Sequence, residues 1–203
     1  MSTTEQPSAQ APRPTPMATV TDHATGRQEH VWSLPVDEAF LDGFLRHLFE
    51  THHDKLTFGP MIQGAAYEMK APGKPKRITL GDGYWTVFWH GGGHFHLCLG
   101  TNYGTPDHPT PPALIAKRRP GRAELFRGLD RAGHPVTWGF RMFNGDKDPQ
   151  ITIFFPNPFI TDEDEIAAAP DWSRLALWHE ILERYTGHAP DGLDTTGKGF
   201  GHG

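Results

Sequence analysis

The sequence predicts an α+β domain: an antiparallel sheet of about six strands, arranged as meanders and hairpins and flanked by N-terminal and C-terminal helices. Three observations predict it. Strand-like runs are joined by turns too short for anything but antiparallel neighbours, chiefly Gly81-Asp82-Gly83, Gly91-Gly92-Gly93 and Asn144-Gly145. Apolar residues at helical spacing stand near both ends of the body. The chain has 203 residues with low-complexity sequence at each end, which leaves about 160 residues, enough for one core.

In chain order, Met1 to Arg27 is rich in Ser, Thr, Gln, Pro and Ala, with Pro12, Pro14 and Pro16 alternating. Without apolar periodicity it cannot offset its ordering entropy, so residues 1–27 are expected to be disordered. Residues 28–188 form the expected single domain. Its first helix is predicted from a Ser33 cap and Pro35 through Phe40, Leu41, Phe44, Leu45, Leu48 and Phe49 to His52-His53. Strands are expected at 66–70, 77–80, 84–90 and 94–99. A second helix is expected after Pro111-Pro112, interrupted at Pro120-Gly121 and resumed from Arg122 to Leu129. Two more strands, 136–143 and 150–155, flank the Asn144-Gly145 turn. A short helical turn is expected after Thr161, since Asp162 to Glu165 places acid at a helix N-terminus. The last helix runs from an Asp171 cap through Leu175, Trp178, Ile181, Leu182 and Tyr185 to Gly187. Residues 189–203 are expected to be a flexible, Gly-rich tail.

Composition excludes several functions. A formal charge of −5 gives no general attraction to nucleic acid or anionic lipid. One cysteine permits no internal disulfide, which favours a reducing, cytoplasmic setting. There is no apolar run of about 18 residues for a membrane span, and the first residues lack the pattern of a secretory signal. Gly-x-Ser-x-Gly, Walker and Cys-x-x-Cys-His patterns are absent, which argues against a serine hydrolase, P-loop nucleotide binding and covalent haem. What stands out is 13 histidines beside one thiol.

The stretch Tyr84 to Leu99 carries the candidate chemistry. A three-residue loop at Gly91–Gly93 would pair position 90 with 94, 88 with 96 and 86 with 98. Alternation then puts Trp85, Val87, Trp89, Phe95, Leu97 and Leu99 on one wholly apolar face. The opposite face gathers Tyr84, Thr86, Phe88, His90, His94, His96 and Cys98. A one-residue slip would mix the two sets, a costly outcome when one face is buried. His90, His94 and His96, with Cys98 as a possible fourth group, are therefore candidate ligands for iron, copper or zinc, because imidazole and thiolate suit these ions. The His94-x-His96 pair on a strand resembles the ligand pair of cupins and of zinc carbonic anhydrases, although the glutamate that cupins carry a few residues later is missing.

Haem is the alternative cofactor for the same face. One axial histidine with Phe88 and Tyr84 as apolar surface would hold the ring, and Arg118, Arg119 and Arg122, beside Lys117, would meet its propionates. His52-His53 would complete the site if the first helix ended over this face; otherwise they suit a helix C-terminus. His179 and Glu180 read as solvent-facing. The sequence thus points to a metal- or haem-binding protein, either a metal-dependent enzyme of redox, oxygen or hydrolytic chemistry or, in the alternative class, a non-catalytic binding module. Its expected partner is a small molecule or metal, with neither nucleic acid nor membrane.

Overall fold

A computed structural model describes residues 15–22 and 26–200. The first strands are β1 (Met17–Thr21) and β2 (Gln28–Leu34), followed by helix α1 (Glu38–Arg46) and a π-helical turn at His47–Thr51. Short strands come next: β3 (Thr57–Gly59), β4 (Met61–Ile62), β5 (Ala65–Ala66) and β6 (Met69–Lys70). A meander follows of β7 (Arg77–Gly81), β8 (Tyr84–Phe88) and β9 (His94–Cys98). After the small ribbon β10 (Gly104–Thr105) and β11 (His108–Pro109) stands helix α2 (Pro112–Arg118). The long strands β12 (Pro120–Leu129), β13 (Pro135–Asn144) and β14 (Pro149–Phe154) precede α3 (Ala176–Thr186).

The expected α+β class holds. Its sheet is antiparallel and seven-stranded, ordered β1-β2-β12-β13-β14-β3-β6, with β7-β8-β9 as a separate three-stranded sheet. One face of the large sheet, with Leu34, Leu125, Phe140, Met142 and Ile153, meets Phe44, Leu48, Trp178 and Ile181 in the core. Each such fully buried side chain contributes about 1.5–3 kcal/mol. The inner face of the small sheet joins this core through Trp85, Val87 and Leu97, and Phe49 packs on Trp85 and Phe95 at 5.6 and 5.7 Å.

The elements differ from expectation in several places, among them the expected strand 66–70, which splits into β5 and β6 in two different sheets. Ser33 lies in β2, and Asp37 caps α1 instead, its Oδ1 accepting from Phe40 N–H at 2.9 Å. Arg122 to Leu129 is not helix but the centre of β12, whose last seven residues are all buried. A strand covered on both faces loses its two-residue alternation, so its sequence reads ambiguously. After Thr161 there is a turn rather than a helix, with Thr161 Oγ1 accepting from the N–H groups of Glu163 and Glu165. Both chain ends are also more structured than expected. Strand β1 falls within 1–27, although residues 1–14 and 23–25 lie outside the described residues. In the tail, Gly192–Thr195 forms a 3-10 turn and Asp194 is completely buried, while 201–203 lie outside the description.

Candidate functional site

The hairpin β8–β9 keeps its two expected faces but in another register. Phe88 pairs with His94, Thr86 with His96 and Tyr84 with Cys98. Relative to the three-residue loop this is a slide of two positions, which preserves every side chain's face and changes its neighbour. The cause is Trp89. Its ring stacks on Phe58 at 5.9 Å and its indole N–H donates to Gly73 O at 2.9 Å, so it is anchored in the core and the chain turns through Trp89–Gly93.

His90 is thereby lifted out of the ladder into an exposed turn, away from direct pairing with His94. His94 and His96 remain neighbours, with ring centroids 5.2 Å apart, and Thr86 Oγ1 holds His96 Nδ1 at 2.7 Å. Phe88 lies between the Arg77 guanidinium, 4.4 Å from its centroid, and the His94 ring at 5.6 Å. Tyr84 is half-buried in the same face. Cys98 is buried, its Sγ directed to Gly100 O at 3.5 Å, and burial pushes its thiol pKa up, away from the thiolate form that ligates and attacks.

The cations expected at the haem propionates are dispersed. Arg118 donates to Asn102 Oδ1 at 2.8 Å, near the Cys98 end of the hairpin. Arg119 ends α2. Arg122 stacks on Phe143 at 3.8 Å and pairs with Glu124 on the large sheet. Arg141, on the same face as Glu124, forms a network with Glu29 and Glu124.

The tightest ligand-type cluster is elsewhere, where the end of α1 meets α3. His47, His52 and Glu180 are the one group among the described residues whose three donor atoms all lie within 4.8 Å of one another. His47 Nε2 and His52 Nε2 are each 3.3 Å from Glu180 Oε1. The π-helical turn accounts for this. Five residues are nearly one and a half turns of α-helix, which would splay the histidines, but close to one turn of a helix with i→i+5 bonding. Their rings meet edge-to-face at 5.0 Å.

His52 is 8 % exposed and Glu180 opens to solvent. Tyr185 Oη is 3.0 Å from His47 Nδ1; in the tautomer protonated at Nδ1, Tyr185 Oη accepts that N–H and the Nε2 lone pair faces Glu180. Burial, then the Arg184 charge and His52, lower the His47 pKa, favouring the neutral ring that ligates. Arg184 Nη1, 3.4 Å from the same Nε2, competes for its lone pair. Neither His47 nor Glu180 was singled out as a ligand from sequence, since the signal, a five-residue histidine spacing, carries meaning only with a π-turn.

Residues 18–187 match the model of the Family of unknown function (DUF7676). The chain belongs to this family. DUF7676 membership thus covers both helices of the His47 cluster and the β8–β9 hairpin. The chain has no match among curated proteins. Among solved structures it is similar to the crystal structure of ChuX, with 12 % identity, a TM-score of 0.48 and coverage of 78 % of each chain. So remote a likeness transfers no ligand to the DUF7676 chain.

Proposed function

We propose that the protein binds one divalent transition metal through His47 Nε2, His52 Nε2 and a Glu180 carboxylate oxygen. The observation that carries this reading is the pair of 3.3 Å donor separations. A tetrahedral ion about 2.1 Å from each donor sets such separations at about 3.4 Å. Two imidazoles and a carboxylate suit zinc or iron, and three protein ligands leave a position open for water or substrate, as catalytic rather than structural sites do. The chemistry in keeping with this set is hydrolysis at zinc or oxygen chemistry at iron. A reducing, cytoplasmic setting belongs to the same reading, because Cys98 is the one cysteine.

A second reading keeps the hairpin as the cofactor face, favoured by the adjacent His94 and His96 rings and the thread from Thr86 to His96. There an exposed histidine beside Phe88 would hold iron, copper, zinc or haem. Elemental analysis and an absorption spectrum of untagged protein, before and after incubation with zinc, iron, copper and haem, separate the two. Stoichiometric metal that disappears in His47→Ala and persists in His94→Ala supports the helix site. A Soret band or metal lost only in His94→Ala moves the function to the hairpin, and protein that takes up nothing overturns both.

A further inference from the structure

We propose that the cleft at the Trp89–Gly93 turn binds a small polyanion bearing phosphate groups. Two adjoining hollows of about 430 and 530 Å³ meet at Lys76, Trp89 and His90, one extending to Lys74 and the other to Arg77. Both hollows are open to solvent, so they form a surface cleft rather than an enclosed pocket. No acidic residue lines either hollow.

The cleft gathers positive charge in an acidic chain, although cations elsewhere among the described residues, Arg119, Arg131 and Lys147 for example, also have no carboxylate within salt-bridge distance. The formal net charge is −5, and Arg46, Lys70, Lys117, Arg127, Arg141 and Arg174 are all paired with carboxylates. Lys74, Lys76 and Arg77 are exposed and, among the described residues, none has a carboxylate within salt-bridge distance. Three unneutralised cations within four residues, with His90 opposite, focus a positive potential that an isolated monoanion would not balance.

The cleft is also preformed. The Arg77 guanidinium carbon stands 4.4 Å from the Phe88 ring centroid, a contact that uses the face of the guanidinium and no carboxylate, and a guanidinium so placed can still offer N–H groups to phosphate oxygens. The Trp89 indole bond to Gly73 O ties the lysine-bearing loop to the turn. Gly91 and Gly92 have φ of 91° and 96° and nothing within 4 Å of a Cβ position, so a ligand can approach bare backbone there. None of these groups belongs to the His47 cluster, so the inference is independent of the helix site, while Phe88 is shared with the hairpin alternative.

Calorimetric titration of inorganic pyrophosphate into the full chain tests it. The expected result is one site with Kd of about 0.1 mM at low salt, weakened about tenfold or more by Lys76→Glu/Arg77→Glu and by raised ionic strength. His52→Ala is expected to bind as tightly as the parent, which separates the cleft from chelation at a helix-bound metal. The substituted side chains are exposed, so melting temperature serves as the folding control. Absence of binding at about 5 mM pyrophosphate, equal binding by the folded charge-reversal variant, or binding of a single-stranded oligonucleotide without pyrophosphate would each overturn the proposal.

Discussion

His47 sits where three influences converge: burial, the Arg184 guanidinium and His52 all lower its pKa. His30 behaves alike, its pKa lowered by burial and by Arg127, whose Nη2 is 2.8 Å from His30 Nδ1. A histidine with a depressed folded pKa contributes stability that is fully present above its unfolded value of 6.5 and is lost as pH falls through the folded value. Melting temperature should therefore decline as pH drops from about 7.5 to about 5, and His30→Gln should flatten the decline; a pH-independent curve in the parent would contradict this. At the cluster, Arg184→Gln removes the competitor for the His47 lone pair. Zinc affinity is expected to rise several-fold, about 1 kcal/mol, and calorimetry reads it directly.

At the level of elements, close backbone approaches fix the sheet. A Cβ at Gly59 in β3 would collide with the backbone carbonyl of Tyr67, a group that cannot rotate away. Gly59→Ala is expected to cost about 1–3 kcal/mol, visible as a lowered urea midpoint at unchanged m-value. The same scale shows what the sequence made legible. The inner face Trp85, Val87, Phe95 and Leu97 was readable because alternation survives a two-residue slide, whereas the register was not, because Trp89 is tied down by Phe58 and Gly73 from distant sequence. The final helix was readable at its end from Gly187, which takes φ 74°, whereas Asp171 caps the 3-10 turn Trp172–Leu175 that leads into it, and α3 itself starts without a side-chain cap. By contrast β12 carries no local strand signal, since both of its faces are buried by long-range partners. The His47–His52–Glu180 cluster joins residues 128 positions apart through a π-turn, which no local pattern announces.

For the whole molecule, the C-terminal segment is a clasp on the core. Asp194 accepts from Trp138 Nε1 at 2.9 Å, Trp178 Nε1 at 3.0 Å and Arg127 Nη1 at 2.8 Å, and His179 Nε2 is 3.2 Å away. It thereby links β12, β13, α3 and the 3-10 turn Gly192–Thr195. Asp194→Ala leaves two buried indole N–H groups unpaired and weakens the neutralisation of Arg127. The expected loss is about 3–5 kcal/mol in denaturant unfolding, with truncation after His188 at least as damaging. A loss below about 1 kcal/mol would show the clasp to be incidental.

The clasp holds α3 on the sheet, and α3 carries Glu180 to His47 and His52 beside the π-turn, so the placement of the proposed ligands depends on the global fold. Calorimetric titration of zinc into the parent chain, His52→Ala and a His94→Ala/His96→Ala variant tests the central claim most directly. The expected result is one equivalent of zinc in the parent, loss of that binding in His52→Ala and full retention in the hairpin variant. Retention in His52→Ala, or loss in the hairpin variant alone, would contradict it.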